Sequence, residues 1–161
     1  MNAPVSAPSV IHDTFVIERR LPATPARVFA ALSDPGSRRR WYAEGESHEV
    51  ETFESDLRVG GRETTRYRLN EATPFPGTVL SNDTLFHDVV PDRRIVAASA
   101  MDLAGHRISV SLETFELLPA ADGTDLVFTH QGAFFEGSDG PEMRQSGWRS
   151  LLDRLAAHLA S

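Results

Sequence analysis

The chain has 161 residues, a net charge of −7 and a hydrophobic fraction of 40%, with no cysteine and no lysine. Those totals suit one globular domain. They exclude a disulfide framework, a thiol nucleophile, a thiolate metal site and Schiff-base catalysis by lysine. The acidic balance argues against a general nucleic-acid binder.

Residues 1–12 read as a flexible tail of small residues without periodicity. The start has neither a basic cluster nor a long apolar run, so no secretory signal is expected and the cytoplasm is the expected location. No stretch reaches the roughly 20 apolar residues of a membrane helix. All 16 basic residues are arginine, a bias associated with GC-rich bacterial genomes.

TFVIERRL then reads as a first strand, with Phe15 and Ile17 on one face. In ATPARVFAALSDP, Thr24 is placed to cap a helix and Pro25 suits its first turn, while Val28, Phe29 and Leu32 share a face. Asp34-Pro35 ends that helix and restarts the signal for a second short one through GSRRRWY. Arg38, Arg39 and Arg40 are expected on its solvated surface, near the C-terminal end where positive charge is mildly favourable.

From Glu46 to Gln131 the pattern is strands and turns. SHEVETFE alternates, and VGGR at 59–62 is a turn. RETTRYRL places Thr65, Tyr67 and Leu69 opposite Arg66 and Arg68. NEATPFPG breaks the chain. TVLSNDTLFHDVV, IVAASAM, RISVSLETFELL and DLVFTHQG are further strands, separated by PDRR, DLAGH and PAADGT. Six or seven strands with short connections imply an antiparallel sheet. One strand carries a conflict of parity: Ile108, Val110 and Leu112 point one way, Phe115 and Leu117 the other. Either a bulge near Glu113 shifts the register, or both faces are covered, which would imply a homodimer.

The last segment is the clearest helix. Asp139 and Glu142 have capping-box spacing and Pro141 suits the first turn. Met143, Trp148, Leu151, Leu152, Leu155 and Leu159 form one stripe, with Arg144, Arg149, Asp153 and Arg154 off it. The order is strand, two short helices, antiparallel meander, long helix, which is α+β layering in a single domain over residues 13–161.

In that order, FVIERRLPATPARVFAALSDP followed by RWY, then LRVGGR, DVVPDRRIV, ISVSLETFEL, GTDLVFTHQGAF and GWRSLLDRLAAHL resemble the START-like (SRPBCC) superfamily. The resemblance spans residues 14–160 and is nearest to the branch of homologues of the activator of the Hsp90 ATPase. It implies a helix-grip fold, in which a curved sheet wraps a long C-terminal helix and leaves a cavity for a hydrophobic molecule. Relatives in the wider superfamily include polyketide cyclases and aromatases. The chaperone activators proper carry an additional N-terminal domain, which a tail of a dozen residues is too short to supply. The chaperone-associated reading therefore ranks last.

A cavity of that kind is physically demanding. At about 24 cal/mol per Å³, an empty apolar space of about 300 Å³ costs on the order of 7 kcal/mol, comparable with the whole stability of a domain. Rigid aromatic walls resist collapse. The candidates for the wall are Trp41, Tyr67, Phe128, Phe134 and Trp148, with the adaptable Met101 and Met143. Adjacent residues of an extended chain alternate, so of Phe134 and Phe135 the first is expected inward. His130 follows Leu126 and Phe128 at period two, so it is expected on the inner face, where it would orient a ligand oxygen, act as a general base or hydrogen-bond backbone.

Chemistry beyond binding has no motif. GESHE lacks the second glycine of a nucleophile elbow, there is no HExxH zinc pair, and VGGR is not a phosphate loop. No catalytic residue, metal or cofactor is expected. The leading expectation is a binding protein for a small hydrophobic or aromatic molecule, with a cyclase-like enzyme second and an interaction protein third.

Overall fold

The computed structural model describes residues 9–161. Most of the expected tail lies outside the described residues, but its last two residues already belong to the first strand. The elements run β1 (Ile11–Leu21), α1 (Pro25–Ser33), α2 (Pro35–Arg38), a π-helical turn (Arg39–Ala43), then β2 (His48–Ser55), β3 (Arg62–Leu69), β4 (Val79–Val90), β5 (Arg94–Leu103), β6 (His106–Ala120), β7 (Gly123–Phe134) and α3 (Pro141–Ala160). All seven strands form one antiparallel sheet in the order β1-β7-β6-β5-β4-β3-β2. The chain enters at one edge, crosses through the two short helices to the other edge, and returns strand by strand. This is the helix-grip arrangement, with α3 lying across the concave face.

Three bulges help to curve the sheet. The register slips at Glu51 on β2, His87 on β4 and Ile108 on β6, and an extra residue bends its strand and increases the local twist. The bulge at Ile108 also resolves the conflict of parity, five residues from where it was expected. Beyond it, Ser109, Ser111, Glu113, Phe115 and Leu117 all face inward, while Val110 and Leu112 face out and are exposed.

The capping signals of the short helices hold. Thr24 Oγ1 accepts from the Arg27 amide at 3.3 Å, and an Asp34 carboxylate oxygen accepts from the Ser37 amide at 2.8 Å. The second helix is shorter than expected, because its last turn widens so that the Glu44 amide reaches the Arg39 carbonyl. The capping box at α3 does not form. Gly140, at φ 82°, occupies the cap position with no side-chain bond, and Asp139 is engaged by Arg144 instead.

The core fills one half of the concave face. Phe15, Ile17, Phe86, Ile95, Phe115, Leu117, Leu126 and Phe128 pack under Leu152, Leu155 and Leu159 of α3 and against Val28 and Leu32 of α1. Trp41 belongs to this core, its indole N–H donating to the Ala31 carbonyl at 2.8 Å.

Candidate functional site

The other half of the concave face is built differently. Along each central strand, the inward positions change from large apolar to small or polar: Phe86 to Thr84 and Asn82 on β4, Ile95 to Ser99 on β5, Leu117 and Phe115 to Glu113, Ser111 and Ser109 on β6. Opposite them α3 presents Met143, Arg144, Gly147 and Trp148. A Cβ placed on Gly147 would meet no atom within 4 Å. Short side chains facing a glycine leave the two layers apart, and a chamber of about 580 Å³ lies between them. Its walls are mainly apolar: Tyr67, Leu69, Leu80, Met101, Ile108, Trp148 and Leu151. Phe75 and Met143, at 59% and 65% exposed, stand at its mouth.

Polar groups gather on the chamber wall and just behind it. Arg38, only 3% exposed, forms a two-pronged ion pair with Glu63, which also accepts from Ser55 at 2.8 Å. Burial works against the Arg38 charge, but the Glu63 carboxylate outweighs it and holds the guanidinium more firmly protonated than usual. The guanidinium also lies 4.4 Å from the Tyr42 ring centre. Burial and then the nearby Glu63 charge push the Tyr42 hydroxyl well above its ordinary value, and the same two causes push Tyr67 up to about 12. Both phenols therefore stay protonated, each with an O–H available to donate.

Glu113 is 8% exposed and lines the chamber. Burial pushes its carboxyl up to about 7. The Arg38 charge pulls the other way and the Glu63 charge adds to the rise. A carboxyl poised there exists in both forms near neutrality, able to donate or to accept. The Tyr67 hydroxyl and the Ser111 Oγ are buried with no hydrogen-bond partner among the described residues, and both residues line the chamber. Such orphaned groups are uncommon in folded proteins and mark positions where a partner is expected.

At the start of α3, Arg144 reaches back to Asp139 through two bonds of 2.8 Å, to Ser109 Oγ at 2.9 Å, and over the Phe134 ring at 5.1 Å. Burial opposes the Asp139 charge, yet Arg144 outweighs it and holds the carboxyl below its usual range.

The sequence-derived wall residues divide. Tyr67, Met101, Met143 and Trp148 line the chamber. Trp41 and Phe128 do not, since both are packed in the core, Phe128 with its ring centre 4.3 Å from that of Trp148. Phe134 points inward as expected but sits behind Arg144, away from the lining. His130 is inward and fully buried, stacked on Phe15 with ring centres 4.6 Å apart. Neither ring nitrogen finds a partner among the described residues, so the backbone bond anticipated for it is not made. Burial, then the Arg144 charge, lowers it to about 4, and it is neutral at physiological pH.

Two placements reverse the sequence reading. Arg38 is a buried ion-pair partner and not a solvated surface charge, because Glu63 meets it under the sheet. Arg144 lies over the concave face and is buried, because Asp139 and Ser109 supply its partners there. Glu113, Asn82, Ser99, Ser111 and Phe75 were not anticipated as lining residues. The signal for two of them was present in the alternation: Phe115 and Leu117, continued backward at period two, lead to Glu113 and Ser111, and then to Ser109, which also lines the chamber. Among the described residues no group of three His, Cys, Asp or Glu is placed to hold a metal ion, and no helix is long and apolar enough to cross a membrane.

Residues 22–160 match the family described as Activator of Hsp90 ATPase homolog 1-like protein. Several solved structures are similar to the chain. An uncharacterized protein from Rhizobium leguminosarum is 36% identical, with 94% of this chain and 97% of that one covered and a TM-score of 0.87. The Mll3558 protein from Rhizobium loti is 44% identical over 93% of this chain and 99% of that one, with a TM-score of 0.80. An AHSA1-like protein from Aeromonas hydrophila, at 22% identity with 92% of each chain covered and a TM-score of 0.68, shares the fold. No curated protein shows significant similarity to the chain.

Proposed function

Because the chain belongs to the Activator of Hsp90 ATPase homolog 1-like family, we propose that it binds one small, largely apolar molecule in the chamber between α3 and the sheet. The observation that carries this reading is the chamber itself: about 580 Å³, within the range of ligand sites, walled by Tyr67, Met101 and Trp148 and lipped by exposed Phe75 and Met143. A mainly apolar wall with a few convergent polar groups is the usual composition of a small-molecule site.

One observation favours a second reading, an enzyme of cyclase or aromatase type on the same framework. Glu113 is a buried carboxyl facing the chamber with a value near 7, which suits a general acid or base. It ranks second because among the described residues no activated nucleophile accompanies it. The chaperone-associated reading draws on the family description alone.

The test uses a neutral fluorescent probe, N-phenyl-1-naphthylamine, with the wild type and Gly147→Phe. The new side chain projects into open space, so the helix is expected to form and the chamber to be filled. Saturable binding at one site in the wild type, lost in the folded variant, supports the reading. Binding that survives Gly147→Phe, or no binding to the wild type, overturns it.

A further inference from the structure

The lining residues include one carboxyl, Glu113, that the fold leaves without a direct partner among the described residues. Arg144 is paired with Asp139 at 2.8 Å, and behind the wall Arg38 and Glu63 satisfy one another. Glu113 forms no ion pair or hydrogen bond among the described residues, although the charges of Arg38 and Arg144 act on it from a distance. On its own strand and the next, its inward-facing neighbours carry hydroxyl oxygens that can accept. Ser111 lies two residues along the same inward face, and Ser99 is the cross-strand partner of Ser111. Ser99 and Thr84 share a 3.1 Å hydrogen bond, and Ser111 Oγ has no partner among the described residues. A carboxylate with two hydroxyl oxygens on adjoining strands is a three-acceptor cluster at the wall of an apolar chamber.

Resting on the binding reading above, we infer that the chamber selects a ligand whose apolar body ends in a protonated amine, seated on Glu113 with the Ser111 and Ser99 hydroxyls. A primary ammonium has three N–H donors and one positive charge, which matches the cluster in number and in sign. A ligand carboxylate placed there would bring two like charges together in a poorly solvated site. The lining residue that would favour an anion is Arg154, which is half-buried, donates to the Arg40 carbonyl and lies near Tyr67. It forms no ion pair among the described residues and is therefore the competing anchor that the test must separate.

Binding through Glu113 is coupled to pH. The groups around it are Arg38 and Tyr42 from the segment before β2, Glu63 from β3, His130 across the ladder on β7, and Arg144 from α3, while β5 presents Ala97. Arg38 keeps its charge, Tyr42 stays neutral, and His130 stays neutral above about 4. Glu113 is then the group in this cluster that titrates near 7. An amine that binds only the ionised carboxylate loses about tenfold in affinity one pH unit below that value.

Three probes with one apolar body separate the possibilities: 4-phenylbutylamine, 4-phenylbutan-1-ol and 4-phenylbutyrate, titrated calorimetrically at pH 8 and pH 6. The amine is expected to bind at least tenfold more tightly than the other two at pH 8 and about tenfold more weakly at pH 6. Glu113→Gln is expected to abolish both the preference and its pH dependence. The wild-type titrations alone suffice if that variant is not recovered folded. A carboxylate that equals or exceeds the amine, an amine affinity unchanged between the two pH values, or a preference retained in folded Glu113→Gln overturns the inference. Binding of the alcohol without amine preference overturns this inference and leaves the binding reading standing. No binding by any of the three overturns both.

Discussion

Replacing Glu113 by glutamine is expected to stabilise the protein, and by an amount that depends on pH. The carboxyl is held at about 7 in the folded chain against an ordinary value of 4.5. Between those values the unfolded chain releases the proton while the folded chain keeps it. Wild-type stability therefore falls as pH rises through that window and levels off above it. At about 1.4 kcal/mol per pH unit, the interval corresponds to roughly 3 kcal/mol lost by pH 8. Glutamine has nearly the same shape and no proton to lose, so it escapes this cost. Urea unfolding at pH 5 and pH 8 reads the difference, and comparison with the wild type cancels the contributions of the other groups. The variant is expected to be more stable by about 2–3 kcal/mol at pH 8 and by less than about 1 kcal/mol at pH 5. A variant less stable than the wild type at pH 8, or a difference that does not change with pH, would refute the claim that burial without a partner sets the Glu113 protonation.

Arg38→Met leaves the Glu63 carboxylate buried without its counter-charge and is expected to cost about 3–5 kcal/mol. The double variant Arg38→Met/Glu63→Leu should recover most of that loss, and thermal melts that show the double variant no better than the single one would contradict the ion-pair account. Trp148→Ala is expected to cost about 3–5 kcal/mol, because the indole packs on Phe128 and Phe115 as well as bounding the chamber. Denaturant unfolding within about 1 kcal/mol of the wild type would mean that Trp148 serves the chamber and not the core.

Much of the framework was legible from local signals. The caps at Thr24 and Asp34, the long amphipathic segment and the seven strand-like runs each follow from short-range chemistry and appear where they were expected. The chamber wall was half legible. Tyr67, Met101, Met143 and Trp148 lie on it, whereas Trp41 and Phe128 are core. An aromatic residue on an inward face reads the same in sequence whether it meets another side chain or a space. Glu113 was hidden because Val110 and Leu112 suggested the wrong inner face, and the bulge at Ile108 that reverses the parity has no marker in the local sequence.

Periodicity, turn chemistry and capping residues determined the element types and their order, because those depend on contacts a few residues apart. The long-range pairings were decided only by tertiary structure. Arg38 is buried because Glu63, 25 residues away, meets it, and Arg144 on α3 is held over the concave face by Ser109 on β6. The chamber exists because small polar residues on β4, β5 and β6 come to lie opposite Gly147. A charged side chain is buried or solvated according to whether a partner meets it there, and where two surfaces stand apart is a property of both together.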